Sequence, residues 1–359
     1  MTKSADLRAD GPVLEHLSRL DRFLPVWIIA AMATGLILGQ AIPSLGAVLD
    51  AVQIGSVSLP IAVGLLLMMY PVLAKVRYGH LRRVTGDRRL LVLSVILNWL
   101  VGPALMFALA WMLLPDLAAY RTGLIIVGLA RCIAMVLIWN DLACGDRDAA
   151  AVLVAINSAF QVAAFGLLGW FYLQVLPGWL GLDQVHAGFS IRAIVVAVLV
   201  FLGVPLVAGS ASRAIGERVK GAHWYEQQFL PRIGPVALYA LLFTVVVLFA
   251  RQGHSIIGQP WDVARIALPL LIYFAVMFGG SFAVGHHARL GYARTVTLAF
   301  TAAGNNFELA IAVCIGVFGA ASGQALAGVV GPLIEVPALV ALVYVALALR
   351  RRWYPQETP

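Results

Sequence analysis

Gly304-Asn305-Asn306-Phe307-Glu308 interrupts one apolar segment of this chain, and 174 positions upstream Ala130-Arg131-Cys132 interrupts another, Thr122–Leu142. Charges in hydrocarbon are expensive and usually functional. A glycine followed by two asparagines makes a poor helix interior. At bilayer depth its polar groups need partners inside the protein. Two such interruptions at equivalent depths in two halves of a chain point to a transport site at the bilayer midplane.

The flanking sequence fits that reading. Of 359 residues, 62% are hydrophobic and 12% charged, against about 25% charged in a soluble domain. The apolar residues fall in repeated runs of bilayer-spanning length, too long and continuous for the alternating strands of a β-barrel. The expectation is an all-α polytopic membrane protein of ten transmembrane helices, over 23–42, 51–74, 90–114, 121–142, 148–175, 191–211, 231–251, 264–287, 294–318 and 323–349. Basic residues follow the loops. With the N-terminus in the cytoplasm, 20 of the 25 Lys and Arg lie on that side and four on the other, with Arg131 alone inside a span. This asymmetry predicts both termini inside and argues that the net charge of +8 reflects topology rather than nucleic acid. The segment 1–22 is mixed in charge without an apolar core, so a cytoplasmic arm is expected rather than a signal peptide.

At the 174-residue offset, Ala130-Arg131-Cys132 falls on Gly304-Asn305-Asn306 and Gln161 falls on Glu335. Five spans per half is an odd number, so the halves must insert in opposite directions. The expectation is two inverted repeats, 23–175 and 191–350, followed by a cytoplasmic tail at 351–359.

Several residues could carry chemistry. Arg131 sits about ten residues from either end of its span, too deep to snorkel easily; a short unwound stretch facing a polar cavity is the alternative to a structural ion pair. Cys132 taken alone reads as a small buried residue. Beside a cation, however, a thiol is enriched in thiolate, the metal-binding and nucleophilic form. Trp139, seven residues on, would share a helical face with Cys132. It lines the site or packs between helices. Glu308 is either a carboxyl that takes and releases a proton or a packing residue bonded to Asn or Arg131. Asn305, Asn306, Asn157, Asn98 and Glu335 complete the candidates, with interhelical hydrogen bonding as the plain alternative for the asparagines. Gly331-Pro332 suggests a kink. Cys144 and Cys314 form no paired spacing with Cys132, which argues against disulfides and a zinc site. There is no Walker A sequence and no HExxH motif, and no resident cofactor is expected.

Ala130–Asp146, Ala302–Val313 and Gly331–Pro337 resemble spans four, nine and ten of the Acr3-type arsenite efflux permeases, a branch of the bile-acid/sodium symporter superfamily. The resemblance covers nearly the whole chain. It implies ten spans in two inverted five-helix repeats, with broken spans four and nine crossing at the substrate site. It further implies that Cys132 is the essential cysteine and Glu308 the essential acid, and that Arg131, Trp139, Asn98, Asn157, Asn306 and Glu335 belong to the functional set. The sodium-coupled branch carries a carboxylate earlier in span nine, where Phe300-Thr301-Ala302-Ala303 has none; this favours protons over sodium.

The chemistry implied is consistent. Arsenite at neutral pH is As(OH)₃, with a soft centre matched by a sulfur ligand, and one such ligand lets it go again. Asn305, Asn306 and Asn157 would hydrogen-bond the hydroxyls. A neutral cargo needs a separate charge-carrying step, and Glu308, with Glu335 nearby in the repeat, would supply it. The expectation is a plasma-membrane arsenite/proton antiporter, with antimonite as a related substrate. The alternatives are a sodium-coupled organic-anion symporter of the same superfamily and, more remotely, a membrane enzyme.

Overall fold

Four of the chain's prolines leave the same mark on its helices in a computed structural model. Pro103, Pro177, Pro205 and Pro231 each follow, by two residues, a widened π turn: Leu97–Val101, Phe171–Val175, Leu199–Gly203 and Tyr225–Phe229. Proline cannot donate to the carbonyl four residues back and its ring pushes that carbonyl away. An extra residue in the turn absorbs the conflict without ending the helix. The structure describes residues 24–42, 59–75, 87–133, 135–183, 191–258, 260–319 and 321–357, with scattered positions in 44–58. The arm expected over 1–22 lies outside these residues.

The helices are α1 (Leu24–Ala41), α2 (Leu59–Ala74), α3 (Arg88–Leu113), α4 (Ala118–Leu129), α5 (Met135–Leu142) and α6 (Arg147–Trp179). They continue as α7 (Ile191–Lys220), α8 (Leu230–Gly258), α9 (Pro260–His287), α10 (Tyr292–Ala303), α11 (Phe307–Phe318) and α12 (Gly323–Trp353). A two-residue strand pair, Gln53–Ile54 with Val57–Ser58, precedes α2. Among the described residues, six helical segments are long and apolar enough to cross a membrane, and four apolar helices are shorter. The chain is therefore a polytopic, all-helical membrane protein.

Packing gathers the helices into two groups, with α7 touching both. In one, α8 lies along α1 and α2, and α7 rests on α2. The Gly35-x-x-x-Gly39 pair on α1 lets the α8 backbone approach: a Cβ at Gly35 would stand 2.6 Å from Val246 O. Small residues at that spacing are what close helix contact in a membrane requires. The other group joins α3 to α4, α4 to α12, α9 to α10 and α12, and α11 to α12.

One expectation needs correction. The basic segment between spans six and seven is helical rather than a loop. Helix α7 runs through Arg213 to Lys220 and stops at Gly221, whose φ of 87° places it in the left-handed region. Arg218 and Lys220 in the last turn favour this extension because they meet the negative end of the helix dipole. Glycine then supplies the stop. Pro332 and Pro337 both lie inside the one helix α12.

Candidate functional site

Helices α4 and α10 both end in mid-protein on extended backbone, at Ala130 (ψ 112°) and Gly304 (ψ 142°). Neither break is left unpaired. Arg131 and Asn305 form an antiparallel β-bridge, in which Cys132 N donates to Gly304 O at 3.2 Å and Asn306 N donates to Ala130 O at 2.9 Å. Each break thus satisfies the other's backbone, which buried non-helical chain requires.

A side chain from a neighbouring helix completes each pairing. Gln161 on α6 accepts from Arg131 N at 2.9 Å and donates to Arg131 O at 3.0 Å. Glu335 on α12 accepts from Asn305 N at 3.3 Å. Asn306 then caps α11, its Oδ1 accepting from Leu309 N at 3.0 Å.

A narrow crevice beside the crossing is lined by Cys132, Ile133, Met135, Asn305, Asn306 and Glu308. Four of the predicted site residues therefore share one space. The Asn305 carboxamide has no partner for Oδ1 or Nδ2 among the described residues, nor has Asn306 Nδ2, although both residues are 1% exposed. Orphaned buried amides are costly and suggest groups held for a ligand. Cys132 packs against Gly304, where a Cβ would stand 2.9 Å from Cys132 Cβ and 3.6 Å from Sγ. Any side chain at 304 would press on the Cys132 Cβ and so displace the thiol it carries.

Glu308, in the first turn of α11, lines both this crevice and a larger cavity of about 270 Å³. The cavity lies between α2, α5 and α8 and reaches Lys75 and Asp141. Its walls are otherwise apolar, including Met68, Met69 and Leu238. Glu308 thus stands where crevice and cavity meet.

The other candidates sit elsewhere. The Arg131 guanidinium is fully buried and points away from the crevice, donating to Tyr273 Oη at 2.6 Å and to Gly128 O. It does not bond Glu308. Asn157 accepts from Trp99 Nε1 at 3.1 Å, leaving its own Nδ2 unpartnered among the described residues. Asn98 donates to Ser94 O at 2.9 Å. Trp139 is buried on α5 with Nε1 unpartnered among the described residues. Its expected common helical face with Cys132 does not exist, because Cys132 lies in the break and not in a helix. None of these four lines the crevice.

Sequence reasoning pairs Gln161 with Glu335 through the repeat offset as residues flanking one cavity; each instead holds the backbone of a break, and neither lines the crevice. The same reasoning missed Tyr273, for which a lone hydroxyl in an apolar helix is a weak signal.

The crevice offers one thiol, three unpartnered amide atoms and one carboxyl. That set suits a small, uncharged, hydroxylated molecule with a soft centre. Among the described residues there is no cluster of three or more His, Cys, Asp or Glu that could hold a resident metal ion.

Comparison with known proteins bears on this arrangement. Residues 62–259 match the Sodium Bile acid symporter family. The chain is 59% identical to the arsenical-resistance protein Acr3 of Corynebacterium glutamicum, across 99% of this chain and 96% of the relative. It is 31% identical to the Acr3 protein of Alkaliphilus metalliredigens, across 94% of each. An uncharacterized transporter of Synechocystis is 33% identical, across 95% of this chain and 91% of its own length.

Proposed function

Because the chain belongs to the sodium/bile acid symporter family, within its Acr3 arsenical-resistance branch, we propose that it exports arsenite across the cell membrane in exchange for protons, by alternating access. The family is one of transporters and not of enzymes. The observation that carries the proposal is the convergence of Cys132, Asn305, Asn306 and Glu308 on one crevice, with Glu308 at its opening.

The architecture proposed is ten spans in two inverted five-helix repeats. Two split pairs, α4/α5 and α10/α11, each count as one broken span, and α1, α2, α3, α6, α7, α8, α9 and α12 supply the rest. Matching hydrogen bonds at the same 30-residue separation, Arg131 to Gln161 and Asn305 to Glu335, support the repeat. The basic-residue asymmetry supports a cytoplasmic position for both termini, together with Lys75 and Asp141. The 270 Å³ cavity is then the inward entrance.

As(OH)₃ enters through that cavity. The Cys132 thiol replaces one hydroxyl of As(OH)₃, forming an As–S bond and releasing water. The Asn305 and Asn306 amides hydrogen-bond the remaining hydroxyls. On the far side, water re-forms As(OH)₃ and the thiol. A single sulfur ligand keeps this exchange reversible. The cargo is neutral, so a proton taken by Glu308 from outside and released inside supplies the driving force.

Arsenite uptake into inverted vesicles tests this, with and without a pH gradient and with sodium absent. Uptake that follows the proton gradient supports it. Uptake that requires sodium and ignores the gradient overturns it in favour of sodium coupling.

A further inference from the structure

Arg131 carries a buried charge that meets no carboxylate. Its Nη1 donates to Tyr273 Oη at 2.6 Å and to Ala302 O at 3.5 Å, and its Nη2 donates to Gly128 O. Among the described residues it makes no ion pair. A buried cation without compensation is strongly destabilising, so its partners must supply the charge.

Gly128 and Ala302 lie in the last turns of α4 and α10, the two half-helices that end at the crossing. A helix C-terminus leaves its last four carbonyls unserved and carries roughly half a negative charge. Two ends together offer about one unit, which matches a single guanidinium. The surroundings are shaped for this group. A Cβ at Gly102 on α3 would stand 2.7 Å from Arg131 Nη1 and 3.0 Å from Tyr273 Oη. The glycine leaves the room the guanidinium fills.

Carbonyls at the ends of broken helices, joined by a hydroxyl, are the ligands a small dissolved cation takes in a transporter core. We propose that the ends of α4 and α10, with Tyr273, form a monovalent-cation site whose permanent tethered occupant is the Arg131 guanidinium. The crossing therefore brings its own cation. Arg131 is a positioning residue: it holds the two half-helix ends together and leaves Cys132 and Asn305 to meet the cargo. Removing its side chain vacates a site that guanidinium or sodium can fill from solution. This deepens the proton-coupled reading of transport by giving a structural reason for sodium independence, but its primary test needs no arsenite.

The test compares purified full-length wild type with Arg131→Ala and Arg131→Gln in choline buffer, adding millimolar guanidinium, sodium or lithium chloride. Both variants should melt below wild type in choline and recover toward it with guanidinium or sodium, whereas wild type should not respond. Arg131→Lys keeps a tethered cation and should remain indifferent to added salt. In vesicles, Arg131→Ala should lose arsenite transport by on the order of tenfold in choline and regain it with the same cation. Neutral variants that melt like wild type, that no cation restores, or that behave as Arg131→Lys does overturn the proposal. If the neutral variants do not accumulate, the comparison passes to Tyr273→Phe, which removes one ligand. Its melting point should fall while Arg131→Lys stays close to wild type, and an unchanged Tyr273→Phe overturns the proposal. Wild-type protein that fails to move arsenite would count against the proposed function, while the melting curves would still decide on the cation site.

Discussion

Gln161 holds both backbone groups of Arg131, whereas Glu335, at the equivalent position 174 residues on, holds only the amide of Asn305. A carboxamide donates and accepts at once; the Glu335 carboxyl reaches this break only as an acceptor, from Asn305 N. One break is therefore gripped at two points and the other at one.

The difference predicts the effect of Glu335→Gln. The new Nε2 can donate to Asn305 O and complete the second grip. About 1 kcal/mol of added stability is expected, read as a higher melting temperature in detergent, together with slower arsenite turnover. A variant that melts lower and transports normally would contradict this.

Cys132→Ser should lose arsenite transport by on the order of a hundredfold, because a hydroxyl is a poor ligand for a soft centre. Membrane insertion should be unaffected. Cys314→Ser and Cys144→Ser should retain transport, since neither residue lines the crevice. Vesicle uptake with radiolabelled arsenite reads all three.

Glu308→Gln should abolish proton movement driven by arsenite, measured with a pH-sensitive dye in vesicles, while arsenite binding persists. Pumping of arsenite against its gradient by this variant would remove Glu308 from the coupling role.

Ala237 lines the larger cavity but not the crevice. Ala237→Trp should fill much of that space. In a background lacking Cys144 and Cys314, reaction of Cys132 with a membrane-impermeant maleimide should slow in inverted vesicles. Unchanged labelling would mean that the route to Cys132 lies elsewhere.

Gly331→Ala should destabilise the protein by about 1–3 kcal/mol, because a Cβ at this position on α12 would run into the Phe307 ring. The ring can yield only by moving the residue next to Glu308, so transport should fall along with the melting temperature.

Much of this was legible in the sequence. Gly304, the two asparagines and Arg131 announce backbone that a helix cannot easily hold in lipid, and both helices do break there. The register of the crossing was not legible. Two short extended stretches carry no side-chain pattern that fixes their pairing. The repeat offset equates Cys132 with Asn306, whereas the antiparallel bridge sets Cys132 against Gly304. The direction of the Arg131 side chain was equally hidden, because its partners, Gly128 O and Ala302 O, are backbone atoms that no residue identity marks. The helical continuation of α7 was obscured because basic residues read the same in a loop as in a solvated helix end.

The bridge between the breaks has a mechanical consequence. Hydrogen bonds of Cys132 to Gly304 and of Asn306 to Ala130 stitch the middle of the molecule shut. Pulling the crossing apart would strand buried backbone groups in a place without water. Any movement that carries Cys132 from one side of the membrane to the other must then carry Asn305 and Asn306 as well, as one shuttle. On the alternating-access mechanism proposed above, the surface that slides would be the apolar, unbonded one: the Met68, Met69 and Leu238 wall of the cavity between α2, α8 and α5.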